Sequence, residues 1–302
     1  VIAPGHFGFL GAILAHDMGV PLVASWHTNV HEYAGRRLGR MLRFLPTPLR
    51  RPLEAEAERW SLKAILRFYS IAGMLLAPNP ELVEMLHARA GKPCFLMRRG
   101  VDTALFSPER RCRQSGEFVL GYVGRLTAEK NVRFLARLER ELLEAGPADF
   151  RLVIVGQGVE RGWLESNLTR ATFTGVLTGE ELSRAYADMD LFVFPSTTDA
   201  FANVVLEALA SGVPAVAFDV GGPKFLIRHG INGFLAGAEE EFAARVLDIA
   251  RSPGRHGEMR EAARRLACDA SWDRVLETLF ETYRAFLAGR AALVTVGSAN
   301  HR

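Results

Sequence analysis

Cysteine is scarce in this chain. Cys94, Cys112 and Cys268 are the three in 302 residues. They form no CxxC pair and join no His/Cys cluster. That counts against a disulfide framework and a thiolate zinc site, and fits a reducing cytosol. Excess charge is also small. The 37 basic and 34 acidic side chains leave a net +3, too mild for a dedicated nucleic-acid binder, so no nucleic-acid partner is expected. Long apolar runs are missing too. Residues 65–77 come nearest to a membrane span, but Arg67 and Gly73 interrupt them. They read as a helix end followed by a strand over 74–77. No internal repeat or low-complexity segment occurs. What is abundant is apolar residues, 49% of the chain, enough to fill two α/β domains.

One stretch organises the rest: Pro195 to Pro214, PSTTDAFANVVLEALASGVP. The run Leu191-Phe192-Val193-Phe194 before it reads as a buried parallel strand that Pro195 ends. Asn203 is expected to cap a helix over 204–210, which Gly212 and Pro214 stop, before a new strand over 215–218. The loop would then sit at a strand's carboxyl end, where open α/β sheets bind ligands. The free amides and the dipole of the helix start suit a phosphate. Asp199 and Glu207 would repel that anion, so they need another task, and accepting hydrogen bonds from sugar hydroxyls supplies one. Phosphate beside sugar suggests a nucleotide-sugar.

The stretch resembles the acidic-x7-acidic motif of the retaining GT-B glycosyltransferases of family 4. The match runs through Val204-Val205-Leu206-Glu207-Ala208-Leu209-Ala210-Ser211-Gly212-Val213-Pro214. Two positions depart from the commoner pattern: the first acid is Asp199 rather than Glu, and Phe201-Ala202 replaces Phe-Gly. The Asp form followed by Asn-Val-Val-Leu-Glu resembles the GDP-mannose-dependent α-mannosyltransferase branch. At position 202 a glycine would allow positive φ or close backbone approach, both harder for alanine. The resemblance implies that Glu207 binds the nucleotide ribose. It also implies that Asp199, Phe201, Ala202, Asn203 and Val204 hold the donor sugar and diphosphate.

Other segments extend the resemblance. Val123-Gly124-Arg125-Leu126, followed by Glu129-Lys130-Asn131, places a glycine at a strand end and two cations near a helix start. The helix dipole disfavours cations there, so a bound diphosphate is the better account of Arg125 and Lys130. In the family this element stabilises the leaving group. Gly156-Gln157-Gly158 follows a strand. Alone it is a weak signal, but in the family it lies near the nucleotide. Phe173-Thr174-Gly175-Val176-Leu177 resembles the segment whose backbone reads the base, which makes Val176 and Leu177 donor-site candidates. Gly221-Gly222-Pro223 resembles a turn near the donor. His27 ends an expected strand over 21–25. As a lone loop histidine it would make a backbone hydrogen bond, whereas the resemblance places it at the reacting end of the donor. His31 is read as a surface residue.

Some motifs are expected to be structural. Thr178 and Glu181 read as a capping box. Asp188-Met189-Asp190 looks like a metal-chelating DxD, but its position before a buried strand favours turn and capping acids, so no metal is expected. Arg36, Arg37, Arg40, Arg43, Arg50 and Arg51 lie without an acid among Leu38, Met41, Leu42, Phe44 and Leu45. That pattern suits either an anionic membrane surface or a solvated helix face over the core.

The fold expected is α/β of GT-B type: two Rossmann-like domains with a cleft between them. Residues 1–115 would form the acceptor-side domain and crossover, 116–272 the donor domain, and 273–302 a helix packing back across the domains with a loose tail. The crossover is the Gly100-Val101-Asp102…Phe106-Ser107-Pro108 segment, and the polar residues 110–116 read as a linker. In the family, earlier βα units precede the Pro4-Gly5-x-x-Gly8 element, so the first domain is expected to be incomplete by roughly 60–90 residues.

The activity implied is a retaining transfer of a hexose from a nucleotide-diphosphate sugar, without a cofactor, to a lipid or glycan acceptor. It would take place in the cytoplasm at the inner membrane face. GDP-mannose is the favoured donor. A UDP-glucose- or UDP-galactose-dependent glycolipid synthase and a non-catalytic nucleotide-sugar binder are the alternatives.

Overall fold

The computed structural model describes residues 5–27, 29, 35, 38–39, 41–42, 44–114, 116–145 and 149–289. The chain divides into two units: Val1–Arg98 with Val275–Arg302, and Arg99–Arg274.

In the first unit, β1 (Val23–Ser25), β2 (Met74–Ala77) and β3 (Cys94–Leu96) make a parallel sheet in the order β1-β2-β3. β2 is apolar and buried at every position, as a strand covered on both faces must be. Around it lie α1 (His6–Asp17), α2 (Thr47–Tyr69) and α3 (Pro80–Ala90). α3 begins as its sequence predicts. The Asn79 side chain accepts from the Leu82 amide at 2.9 Å, Pro80 takes the first helical position, and left-handed Gly91 closes the helix. Trp26 and Tyr69 stack in the core, and the Tyr69 hydroxyl donates to the Ser25 carbonyl at 2.9 Å. Burial pushes the Cys94 thiol, which packs against this core, up to about 12, which disfavours the reactive thiolate. All three cysteines are free thiols.

The second unit is a doubly wound sheet of six parallel strands in the order β6-β5-β4-β7-β8-β9. The strands are β4 (Phe118–Val123), β5 (Phe150–Val155), β6 (Ala171–Gly175), β7 (Leu191–Phe194), β8 (Ala215–Phe218) and β9 (Gly233–Ala236). The helices between them are α4 (Phe134–Glu144), α5 (Arg161–Asn167), α6 (Gly179–Ala187) and α7 (Asn203–Ala210), and α8 (Glu239–Ala250) and α9 (Pro253–Cys268) follow β9. Side chains alternate between two apolar layers. Leu120, Tyr122, Leu152, Ile154, Leu191 and Val193 enter one, with Leu135 and Leu138 of α4. Val119, Val123, Val155, Phe192 and Phe194 enter the other, with Val205 and Leu209 of α7. That period of two along strands buried on both faces places helices above and below the sheet. The last helix, α10 (Trp272–Leu287), begins in this unit and continues in the first.

The stretch read as a linker is tied down. Arg111 Nη2 pairs with Asp190 Oδ1 at 2.8 Å, Arg113 pairs with Asp190 Oδ2, and the Val119 amide donates to Asp190 Oδ2 at 2.9 Å. Asp188 Oδ1 accepts from the amides of Cys112 and Arg113 at 2.8 Å each. Arg264 of α9 donates to the carbonyls of Thr103, Phe106 and Ala210. Both acids of the Asp-x-Asp motif therefore serve the turn before β7 and the passing chain. Burial alone would raise the Asp190 carboxyl, but the Val119 amide and the two guanidiniums outweigh it and hold it below the usual range.

Two local expectations are corrected. Asn203 does not cap a helix from outside: it is the first residue of α7, and the cap position is Ala202, with no side-chain cap. Thr178 occupies the cap position of α6 but makes no side-chain cap hydrogen bond.

Candidate functional site

The strand order of the second unit reverses at β4 and β7: from β4 the chain winds outward through β5 and β6, then returns to β7 on the other side. Open α/β sheets bind ligands at such a switch point, in the crevice outside the strands' carboxyl ends, here between the loops after β4 and β7. The loop after β4 carries Gly124, Arg125 and Lys130, and the loop after β7 carries Asp199, Phe201 and Ala202.

Polar bonds bridge the crevice. Lys130 Nζ meets Asp199 Oδ1 at 2.5 Å, with only 14% and 16% of the two side chains exposed. The pair is therefore weakly screened. The Ser196 hydroxyl, fully buried, donates to Asp199 Oδ2 at 2.5 Å. The Asn131 side-chain amide donates to the Pro195 carbonyl at 3.2 Å, and the Thr198 hydroxyl to the Glu129 carbonyl at 3.3 Å. Arg125 is exposed and makes no ion pair among the described residues, while its carbonyl accepts from the buried Tyr122 hydroxyl at 3.1 Å.

Ala202 sits in the left-handed region at φ 69°, ψ 66°. For a residue with a Cβ that costs on the order of 1–2 kcal/mol. A left-handed residue beside a right-handed one turns successive amides toward one side, a concavity suited to an anion. The helix it opens has no carbonyls of its own for its first amides. The alanine thus adopts the conformation for which glycine is the usual choice, and does so at the mouth of the crevice.

Glu207 lies one turn into α7. Tyr186 of α6 donates its hydroxyl to Glu207 Oε2 at 2.8 Å. Burial raises the Glu207 carboxyl above the usual range, and the tyrosine bond pulls it partly back.

Glycines let the neighbouring loops close up. A Cβ on Gly156 would lie 2.0 Å from the Gly124 carbonyl oxygen, and one on Gly222 would lie 2.3 Å from Phe201 Cα. Those contacts admit only hydrogen. Gly158 packs in the same way under Leu126, and Gly221 under Asp199. The Gly222 amide also donates to the Asp199 carbonyl at 2.6 Å.

Comparison with known proteins assigns the architecture. The family profile for glycosyl transferases group 1 matches residues 117–252. The chain is 35% identical over 291 residues to a GDP-mannose-dependent alpha-mannosyltransferase of Mycobacterium tuberculosis, covering 94% of this chain and 71% of that protein. To the protein of the same description from Corynebacterium glutamicum it is 32% identical, covering 95% and 67%. This chain belongs to the glycosyl transferases group 1 family. It is a hexosyltransferase of GT-B fold. Among solved structures, the sucrose-phosphate synthase of Thermosynechococcus elongatus superposes with a TM-score of 0.71 at 22% identity, over 93% of this chain and 71% of that one. Anabaena HepE in complex with UDP-glucose gives 0.69 at 21%, over 92% and 76%. Identities this low speak to the fold.

Within this glycosyltransferase, the expected donor-site residues of the second unit all follow strand carboxyl ends of one sheet. Gly124, Arg125 and Lys130 come after β4, Gly156 and Gly158 after β5, and Val176 and Leu177 after β6. Asp199 through Glu207 come after β7, and Gly221 and Gly222 after β8. Val176 is exposed, whereas Leu177 packs against the core. His27 belongs to the other unit, exposed one residue beyond the buried Trp26 that follows β1. His31, Arg36, Arg37, Arg40 and Arg43 lie outside the described residues. Of that basic stretch, Arg50 is paired with Glu54 at 3.0 Å and Arg51 is exposed. No described helix is long and apolar enough to cross a membrane.

Sequence reasoning missed the residues that hold the acids, Ser196 and Tyr186, and the bridging Asn131 and Thr198. Each is a common polar residue whose role exists only through a partner distant in sequence. Ser196 alone had a local signal, lying three residues from Asp199 in a loop.

Proposed function

We propose that this glycosyltransferase moves mannose from GDP-mannose, with retention of anomeric configuration, to a lipid or glycan acceptor. The reading is carried by Lys130 and Asp199 meeting across the crevice at 2.5 Å beside the anion-suited start of α7. Cation, amides and acid stand together there, as a sugar diphosphate requires. The identity to three GDP-mannose-dependent alpha-mannosyltransferases supports the choice of donor.

In this reading Lys130, Arg125 and the first amides of α7 face the diphosphate, and their field stabilises the charge that builds as the glycosidic bond breaks. Asp199, held by Ser196, accepts from hydroxyls of the hexose. Glu207 accepts from the ribose. Val176 and Leu177 flank the base, and Gly156, Gly158, Gly221 and Gly222 let the loops close around the donor. His27 acts at the reacting end of the sugar. The leaving phosphate takes the acceptor's proton, so no side chain serves as nucleophile.

For the acceptor side, α2 leaves Leu49, Leu53 and Trp60 exposed on a helix whose exposed charges are Arg51, Arg59, Lys63 and Arg67 and one acid, Glu56, paired with Arg59. Apolar and basic groups together suit an anionic membrane face. Sedimentation with phosphatidylglycerol vesicles, against phosphatidylcholine vesicles, tests that contact.

A different donor is the second reading. It is favoured by 34% identity over 251 residues to a sulfoquinovosyl transferase of Arabidopsis thaliana, which covers 77% of this chain and 45% of that protein.

Calorimetric titration with GDP-mannose, UDP-glucose and UDP-galactose tests the donor, followed by chromatographic detection of released GDP or UDP. Tightest binding and turnover with GDP-mannose are expected. Binding of UDP-hexoses but not GDP-mannose overturns the donor assignment. Binding without turnover in the presence of lipid extract identifies a nucleotide-sugar binder instead.

A further inference from the structure

Both crevice acids are held by a hydroxyl rather than by a cation alone, and at Glu207 the hydroxyl acts unaided. Among the described residues, Tyr186 is the one hydrogen-bonding partner of the Glu207 side chain. The tyrosine is fully buried. Its ring meets Phe106 edge-on at 5.7 Å and Phe192 tilted at 5.8 Å, so packing fixes where its hydroxyl points. Burial, and then the Glu207 charge, keep that hydroxyl protonated far above its ordinary range. It is therefore a permanent donor and never competes for a proton.

A carboxylate offers about four acceptor sites on two oxygens. The tyrosine occupies one, on Oε2. A lysine or arginine in its place would orient Glu207 equally well but would neutralise it. A neutral donor orients the group and leaves its charge and its remaining acceptor sites for a ligand. Such a half-buried acid, fixed on one oxygen and open on the other, suits a pair of neighbouring hydroxyl donors. A phosphate, with no proton to give and negative charge of its own, is excluded from it.

We propose that Tyr186 is a positioning residue: it fixes Glu207 so that the free oxygen receives the vicinal hydroxyls of the donor's ribose. The proposal rests on the assignment of Glu207 to the ribose made above.

The test compares the dissociation constants of GDP and 2′,3′-dideoxy-GDP by calorimetry, with UDP and 2′,3′-dideoxy-UDP alongside. The proteins are wild type, Tyr186→Phe, Glu207→Gln and the double variant. Wild type is expected to prefer the intact ribose by about tenfold or more, as hydrogen bonds to a charged acceptor are worth. Tyr186→Phe should cut that preference to below about threefold while dideoxy-nucleotide affinity stays within about twofold, because only the ribose contact is lost. On the Glu207→Gln background, Tyr186→Phe should remove no further preference. Retention of the full preference by Tyr186→Phe, or equal weakening of intact and dideoxy nucleotides, overturns the positioning role while leaving the ribose assignment standing. A further loss on the Glu207→Gln background overturns it as well. If wild type shows no preference for intact ribose with either base, the ribose assignment itself fails, and the inference with it.

Discussion

Asp190→Ala separates a structural acid from a metal ligand. Asp190 lies in the Asp188-Met189-Asp190 tripeptide, which on sequence invites a chelating role. Its carboxylate holds Arg111, Arg113 and the Val119 amide, with 24%, 16% and 10% of the Arg111, Arg113 and Asp190 side chains exposed. Removing one partner of a buried ion pair costs about 3–5 kcal/mol. Water still reaches the guanidiniums, so the lower end, about 3 kcal/mol, applies. In a unit of this size that lowers the melting temperature by roughly 6–12 °C. The assay is thermal and urea unfolding followed by circular dichroism, with donor binding measured well below the transition. Because Asp190 serves the turn before β7 and not the crevice, the dissociation constant for GDP should change less than about twofold, well under 1.4 kcal/mol.

The stability difference should also depend on pH. The folded carboxyl titrates below the unfolded one, so its contribution is complete above the unfolded value, near 4. It is lost as pH falls through the lower folded value. Wild type and variant should therefore converge in acid. An Asp190→Ala protein that melts with wild type but loses donor binding or turnover would refute this reasoning and revive the metal reading.

Three further outcomes follow from the site. Glu207→Gln should bind GDP roughly tenfold more weakly yet melt higher. Burial lifts the folded Glu207 carboxyl above its unfolded value, so wild type pays a penalty that is complete above the folded value and relieved as pH falls through it. The stability gap should shrink in acid, and a destabilised Glu207→Gln at neutral pH sinks the argument. Lys130→Ala should reduce turnover on the order of 10²–10³-fold if its charge meets the leaving diphosphate. Steady-state kinetics with unchanged kcat would remove it from the site. Gly222→Ala places a Cβ 2.3 Å from Phe201 Cα and should cost about 1–3 kcal/mol by overpacking. Donor binding should fall because the Asp199–Phe201 backbone must move, and an unperturbed titration would contradict that.

Much of the second unit could be read from the chain. Buried strands such as Leu191–Phe194 and Ala215–Phe218 are short continuous apolar runs between turn residues, a local signal. The acids and cations of the crevice were legible because glycine-rich turns, proline stops and helix starts fix them at strand ends. Ala202 was half legible. The glycine usual there in the family would allow positive φ, alanine makes it harder, and the structure adopts the left-handed conformation with the alanine. Residues 110–116 misled, because a polar stretch without periodicity reads as a linker whether or not distant acids hold it. Asp188 and Asp190 do hold Arg111, Cys112 and Arg113.

Sequence alone determined the element types, the parallel α/β architecture and the chemistry available at the strand ends, since each depends on periodicity and spacing within a few residues. Tertiary structure decided the strand order that brings the loops after β4 and β7 together. It also decided the pairing of Lys130 with Asp199 across 69 positions and the seating of Glu207 on Tyr186 across 21. Those contacts join residues far apart in the chain, and no local pattern records them. Packing of the sheet against its helices fixes their geometry, and with it which oxygen of Glu207 is left to meet a ligand.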